Sequence, residues 1–402
     1  MSNTSQAALT PARVSAATRA TYAAFLASGF AFANWASRIP QVRDRLHLSP
    51  ADLGLVLLAI AAGSLVALPL AGIIVHRFNS RRTVAAMALV LGVGLSTVAI
   101  GYLDGVVPLL IGLFLVGFGN GAWDVAMNVQ GATVERHLGR AIMPRFHAGY
   151  SAGTVVGALL GALMVALHVP VTAHLLVVAV IVAVSVPLAV RSFVADVEES
   201  NDAAENAATE EGRSNPLGRW LEPRTLIIGV VVLAFAFSEG SGNDWISVAL
   251  IDSYHTPAAV GTLGFAAFLI AMTAVRWFGT GLLDRYGRVV VLRGLAAVAV
   301  IGLLLFVFSP WTPLAFIGAL LWGAGASLGF PVGMSAAADD PAAAASRVSV
   351  VASIGYCAFL GGPPLIGFLG DHITVLRALL VVAILLGVAT LLVKSLRPPE
   401  KT

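Results

Sequence analysis

Long apolar stretches alternate with short polar ones along the whole chain. The apolar stretches fall near residues 20–38, 51–75, 83–103, 107–133, 143–167, 172–191, 224–250, 258–281, 289–308, 312–336, 347–369 and 374–393. At about 1.5 Å of rise per residue, each can carry a helix across a hydrocarbon core roughly 30 Å thick. Only helices suit such segments, because every backbone N–H and C=O must find its partner within the span. The pattern predicts an all-α membrane protein with twelve transmembrane helices.

The polar interruptions divide the chain. Residues 1–19 form a polar tail, 20–192 a first set of six apolar stretches, 193–222 a linker, 223–394 a second set of six, and 395–402 a short tail. Within the linker, Asp196–Pro216 is acidic, rich in Ala, Ser and Asn, and without periodicity, which is the composition of a solvated connector. The two sets of six repeat each other. Ile111–Gly121 aligns without gaps on Ile317–Ser327, a shift of 206 positions, and the same shift places Gly149-Tyr150 on Gly355-Tyr356. Asn34-Trp35 faces Asp244-Trp245, and Arg77 faces Arg285. A duplicated six-helix unit predicts two pseudo-symmetric halves with a solute site between them near the midplane.

Composition sharpens this picture. The chain of 402 residues is 58% hydrophobic and 11% charged, against about 25% charged in soluble domains. The net charge of +3 comes from scattered basic residues, so nucleic acid is not an expected partner. The lone cysteine, Cys357, excludes an intrachain disulfide and reads as a packing residue. No zinc spacing, phosphate loop or nucleophile elbow is present, so no metal, cofactor or enzymatic activity is expected. With both termini in the cytoplasm, the outer segments hold only Arg38, Arg43, Arg45 and Arg377 of the 24 basic residues. That asymmetry predicts a multi-pass protein of the inner membrane with cytoplasmic ends. A monomer in the lipid bilayer is expected.

Two loops carry a family resemblance. Leu282–Arg288, LLDRYGR, resembles the cytoplasmic signature loop of the major facilitator superfamily, and Gly72–Arg82, GIIVHRFNSRR, resembles its first-half copy. The resemblance implies the major facilitator fold and roles in steadying one conformation for His76, Arg77, Arg81, Asp284, Arg285 and Arg288. The first copy has His76 where the family has Asp, and the second has Thr280 where it has Gly. WDVAMNVQG with Pro144–Thr154 resembles a bacterial sugar-transporter-like branch of that superfamily, many of whose members lack a known substrate. Fucose–proton symporters are a more distant likeness.

A charge within a span is expensive and usually faces a cavity or a partner. Asp124 and Asn128 share a helix face with Gly117 and Gly121, and Glu239 lies in the middle of the seventh stretch, flanked by Gly240 and Gly242, which weaken a helix. Asp124 and Glu239 are the candidate proton-coupling or substrate carboxylates. Asn34, Trp35, Asn128, Asn243, Asp244 and Trp245 are candidate substrate-binding groups, the tryptophans serving alternatively as interface anchors. Arg145 and His147 could form a cytoplasmic gate with Glu135 or Asp124. Arg38 is expected to snorkel to water, and Arg276 to snorkel or meet an acid. Together these predict secondary transport of a small polar solute, sugar-like or a related organic compound, coupled to protons. Drug–proton antiport is the alternative, and a non-transporting sensor a more remote one.

Overall fold

A computed structural model describes residues 10–140, 142–196, 216–340 and 343–397. The helices are α1 (Pro11–Ala36), α2 (Ile39–Leu46), α3 (Pro50–Gly101), α4 (Val106–Leu138), α5 (Met143–Ala166) and α6 (Val171–Ala189) in the first half. The second half holds α7 (Pro223–Tyr254), α8 (Ala258–Phe278), α9 (Thr280–Phe308), α10 (Thr312–Ala326), α11 (Gly329–Ala337), α12 (Ala344–Ile373), α13 (Val375–Ala378) and α14 (Leu380–Leu392). Ten helices among the described residues are long and apolar enough to cross a membrane. The longest, α3, turns at Asn79 into two legs. With α1, which is more polar, these make twelve spans. The first begins at Pro11, earlier than the apolar pattern places it, because Thr10 caps the helix and Pro11 starts it. Most of the expected linker, residues 197–215, lies outside the described residues.

The backbone carries the duplication in its own terms. Asn79 and Gly287 turn the chain between membrane legs with φ of 66° and 75°. His47 and His255 cap the C-terminal ends of α2 and α7 with φ of 53° each, and His168 and Thr374 follow α5 and α12 with φ of 55° and 82°. Each pair is separated by the 206–208 positions of the sequence repeat. Asn79 tolerates the left-handed region because its side chain accepts the Arg82 N–H at 3.0 Å. Gly287 has no side chain to clash there.

One local expectation fails. Gly240 and Gly242 do not weaken α7, which runs unbroken from Pro223 to Tyr254. The interruption is in the first-half counterpart, at Ser37–Arg38 between α1 and α2, where Pro40 cannot continue the ladder of the preceding helix. Packing holds the α7 glycines in place: a Cβ on Gly242 would meet the Phe268 ring at 2.4 Å.

Gly149, Gly153, Gly157 and Gly161 form the expected close-packing stripe of α5, and its partner is α1. A Cβ on Gly153 would lie 2.1 Å from the Leu26 carbonyl oxygen. Between the halves, α5 lies along α8 and the first leg of α3 along α12. Pro363 sits inside α12 where Gly54 of α3 docks, with 2.4 Å between a would-be Cβ and the Pro363 oxygen.

Polar contacts clasp the halves on one face. Arg43 forms an ion pair with Asp252, with Nη2 donating to Oδ1 at 2.8 Å, and the Ala51 N–H donates to Asp371 at 3.3 Å. Both contacts lie on the face opposite the 193–222 linker. These contacts tie the two halves together at the far face.

Candidate functional site

A small cavity opens midway along the cleft. Phe32 of α1 and Tyr150, Ser151 and Thr154 of α5 line it from the first half. Glu239 and Asn243 of α7 and Leu269, Met272, Thr273 and Arg276 of α8 line it from the second. Glu239 and Asn243 are one helical turn apart and so share a face, as do Met272, Thr273 and Arg276. Thr273 Oγ1 donates across the boundary to the Ser151 carbonyl at 3.5 Å.

The centre of the cavity is an ion pair. Arg276 Nη2 donates to Glu239 Oε2 at 2.7 Å, and Arg276 Nε donates to the Ser327 carbonyl at 3.0 Å. The two side chains are 25% and 20% exposed, so both are largely withdrawn from solvent yet open to the cavity. Of the two expectations for Arg276, the structure has it meet an acid, and that acid is Glu239. Beside the pair, Asn243 Oδ1 is buried without a hydrogen-bond partner. Tyr150 lies within electrostatic reach of Glu239, Asp124 and Arg276.

The remaining sequence candidates divide. Asp124 is half-buried in α4, where Asn128 Nδ2 donates to its carbonyl at 2.8 Å and to its carboxylate at 3.3 Å. It faces the interior, within electrostatic reach of Tyr150 and Tyr356, but does not line the cavity. Asp244 is half-buried and also off the cavity lining. Trp35 and Trp245 are fully buried in the two halves, which overturns both their interface-anchor and their stacking readings in this conformation.

Asn34 lies away from the cavity. Its Oδ1 meets His174 Nε2 at 2.8 Å, and Arg38 Nε donates to His174 Nδ1 at 2.8 Å. Nδ1 is thus the acceptor, and Nε2 carries the proton toward Asn34. Arg38 does not snorkel. It is 2% exposed and also donates to the Val169 carbonyl. This buried chain ties α1 to α6 inside the first half.

On the linker face, the proposed gate is not assembled. Arg145 and His147 are exposed, and Glu135 accepts the N–H groups of Ile142 and Met143 at 2.6 and 2.8 Å instead. In the signature loops, Arg77 and Arg285 stack on their neighbours Phe78 and Tyr286, and His76, Arg81 and Asp284 are exposed. Arg288 instead pairs with Asp339 at 2.6 Å. Cys357 is exposed, not packed. No cluster of His, Cys, Asp and Glu suited to a metal occurs among the described residues.

Sequence reasoning missed Tyr150, Ser151, Thr154 and Thr273 as lining. Tyr150 had a signal, because it repeats as Tyr356, but its neighbours were absorbed into the glycine stripe.

The sequence matches the profile described as Major Facilitator Superfamily over residues 21–357 and again over 245–402. The chain belongs to the major facilitator superfamily. It is thus a multi-pass membrane transporter in a family of transporters, not enzymes. It is 30% identical over 383 residues to the uncharacterised transporter y4wD of Sinorhizobium fredii, covering 94% of this chain and 98% of that protein. The membrane protein MosC of Rhizobium meliloti is 28% identical over 357 residues, covering 89% and 84% respectively. Among solved structures, a D-xylose-proton symporter superposes with a TM-score of 0.74 at 14% identity, covering 94% of this chain and 97% of that one. The nucleoside transporter NupG superposes at 0.72 and 14%, covering 94% and 98%. At such identities these two structures are alike in fold alone. The superfamily member described here has the expected paired bundle.

Proposed function

We propose that this transporter carries a small polar solute, sugar-like or a related organic compound, across the inner membrane by proton-coupled alternating access, with both termini cytoplasmic. The observation that carries the reading is the Glu239–Arg276 pair, 2.7 Å apart in a cavity lined from both halves. A low-dielectric cleft raises the energetic stakes of every charge inside it, so an acid there is sensitive both to a proton and to a competing ligand. In this reading Glu239 exchanges its contact with Arg276 for either one. Asp124, with Asn128 against it, is the second candidate for proton exchange. The likeness to fucose–proton symporters is part of this proposal, as is the orientation, which rests on the distribution of basic residues.

The test is substrate-driven pH change in proteoliposomes. Glu239→Gln is expected to reduce coupled proton movement more than tenfold, and Asp124→Asn to reduce it measurably. Intact coupling in both variants would remove these acids from the mechanism.

A further inference from the structure

The site's charge balance restricts what it accepts. Glu239 and Arg276 neutralise each other within the cavity. The other lining side chains, such as Tyr150, Thr154 and Asn243, are uncharged. A cation would approach Arg276 at close quarters, and an anion would approach Glu239. Either would add a net charge to a largely desolvated place, which is costly without a new counter-charge. Uncharged hydroxyl groups have no such difficulty, since each both donates and accepts.

The unmet bonds are specific. Asn243 Oδ1 is buried without a donor. Glu239 uses one carboxylate oxygen on Arg276, which leaves the other available to a donor on the solute. Two acceptors a helical turn apart call for two donors on one ligand. The apolar wall of Phe32, Leu269 and Met272 suits the C–H face that such a ligand presents between its hydroxyls.

We propose that the cavity binds an electrically neutral, multiply hydroxylated solute, with one hydroxyl at the Glu239–Arg276 pair and a second donating to Asn243, and that the site rejects carboxylate- and ammonium-bearing analogues of the same skeleton. This rests on the cavity being the solute-binding site of the function proposed above, and it narrows that reading by charge and by donor number. Asn243 acts here as a specificity determinant.

The experiment is binding to the purified full-length protein by thermal shift and calorimetry. The first panel holds neutral hexoses, pentoses and cyclic hexitols. The best binder is then compared with its uronic-acid and amino-sugar counterparts. Expected is measurable binding of a neutral member and at least tenfold weaker binding of both charged counterparts. Asn243→Ala weakens the neutral ligand about tenfold, the equivalent of one lost hydrogen bond of about 1.4 kcal/mol. Asn243→Asp, which adds a negative charge, shifts preference toward the amino sugar. Melting temperature and gel-filtration profile without ligand identify any variant that fails to fold, and the wild-type comparison needs no variant. No neutral binder in the panel, or a charged counterpart bound more tightly, overturns the proposal. Neutral binding without flux leaves it standing and removes the transport reading instead. Flux of an acid or an amine in preference to the neutral compound supports transport and overturns this proposal.

Discussion

At the scale of single residues, the decisive difference is between polar groups that are committed and those that are not. Asn34 and Asn243 look alike in the sequence, each toward the far-face half of a span near an acid or an arginine. Asn34 is held by His174, whereas Asn243 Oδ1 has no partner. Asn34→Ala would leave the His174 N–H buried without an acceptor, at a cost of about 1–3 kcal/mol. The expected result is a lower melting temperature with unchanged solute affinity. An affinity loss without a melting shift would place Asn34 in the binding site after all. The sequence could not separate these residues, because which neighbour a side chain reaches depends on helix rotation and on the packing of α6 and α8.

At the scale of elements, the helix contacts rest on small residues and on caps. Gly153→Leu would drive a side chain into the Leu26 backbone, where even a Cβ comes within 2.1 Å. Separation of α1 from α5 is expected, with loss of monodisperse protein on gel filtration, while a leucine at the open Gly361 position is tolerated. On the linker face, Arg347 donates to both Glu222 oxygens, at 2.8 and 2.6 Å, and fastens the start of α12 to the start of α7. Hydrogen bonds from Arg347 hold the Glu222 carboxyl down at about 2, below its ordinary 4.5. A carboxyl depressed in the folded state contributes stability above its unfolded pKa and loses it as pH falls through the folded one. The melting difference between the wild type and Glu222→Gln is therefore expected to stay constant from pH 8 to 5 and to shrink below pH 4.5. A difference that varies between pH 5 and 8 would show that this pair is not what the variant removes. The glycine stripe was legible because close helix approach needs small residues at a fixed spacing. The unbroken α7 was not, since packing against Phe268 overrides the weak propensity of Gly240 and Gly242.

At the scale of the whole molecule, Arg43 and Asp252 clasp the halves on the far face. Arg43→Gln removes that ion pair and is expected to shift the population toward a conformation open on the far face. Spin labels at Arg45→Cys and His255→Cys, in a Cys357→Ser background, would report this as a longer component in the distance distribution by electron resonance. An unchanged distribution would mean that the α3–α12 and α5–α8 contacts close this face alone. The shift depends on the energy difference between the two states, so even a clasp of about 1.4 kcal/mol changes the ratio tenfold.

The sequence by itself determined the architecture. A bilayer leaves the backbone no alternative to apolar helices, and a duplicated gene writes its symmetry into residue spacing, so twelve spans in two halves were readable from periodicity and repeats. It also marked Glu239, Asn243 and Asp124 as groups that a membrane interior would not hold idly. Only the tertiary structure decided that Arg276 neutralises Glu239, that Arg38 is sunk against His174, and that Trp35 and Trp245 are core. Those outcomes depend on the rotation and approach of helices distant in the chain. Side chains separated by 37 positions in Glu239 and Arg276, or by 136 in Arg38 and His174, meet only once the bundle has closed.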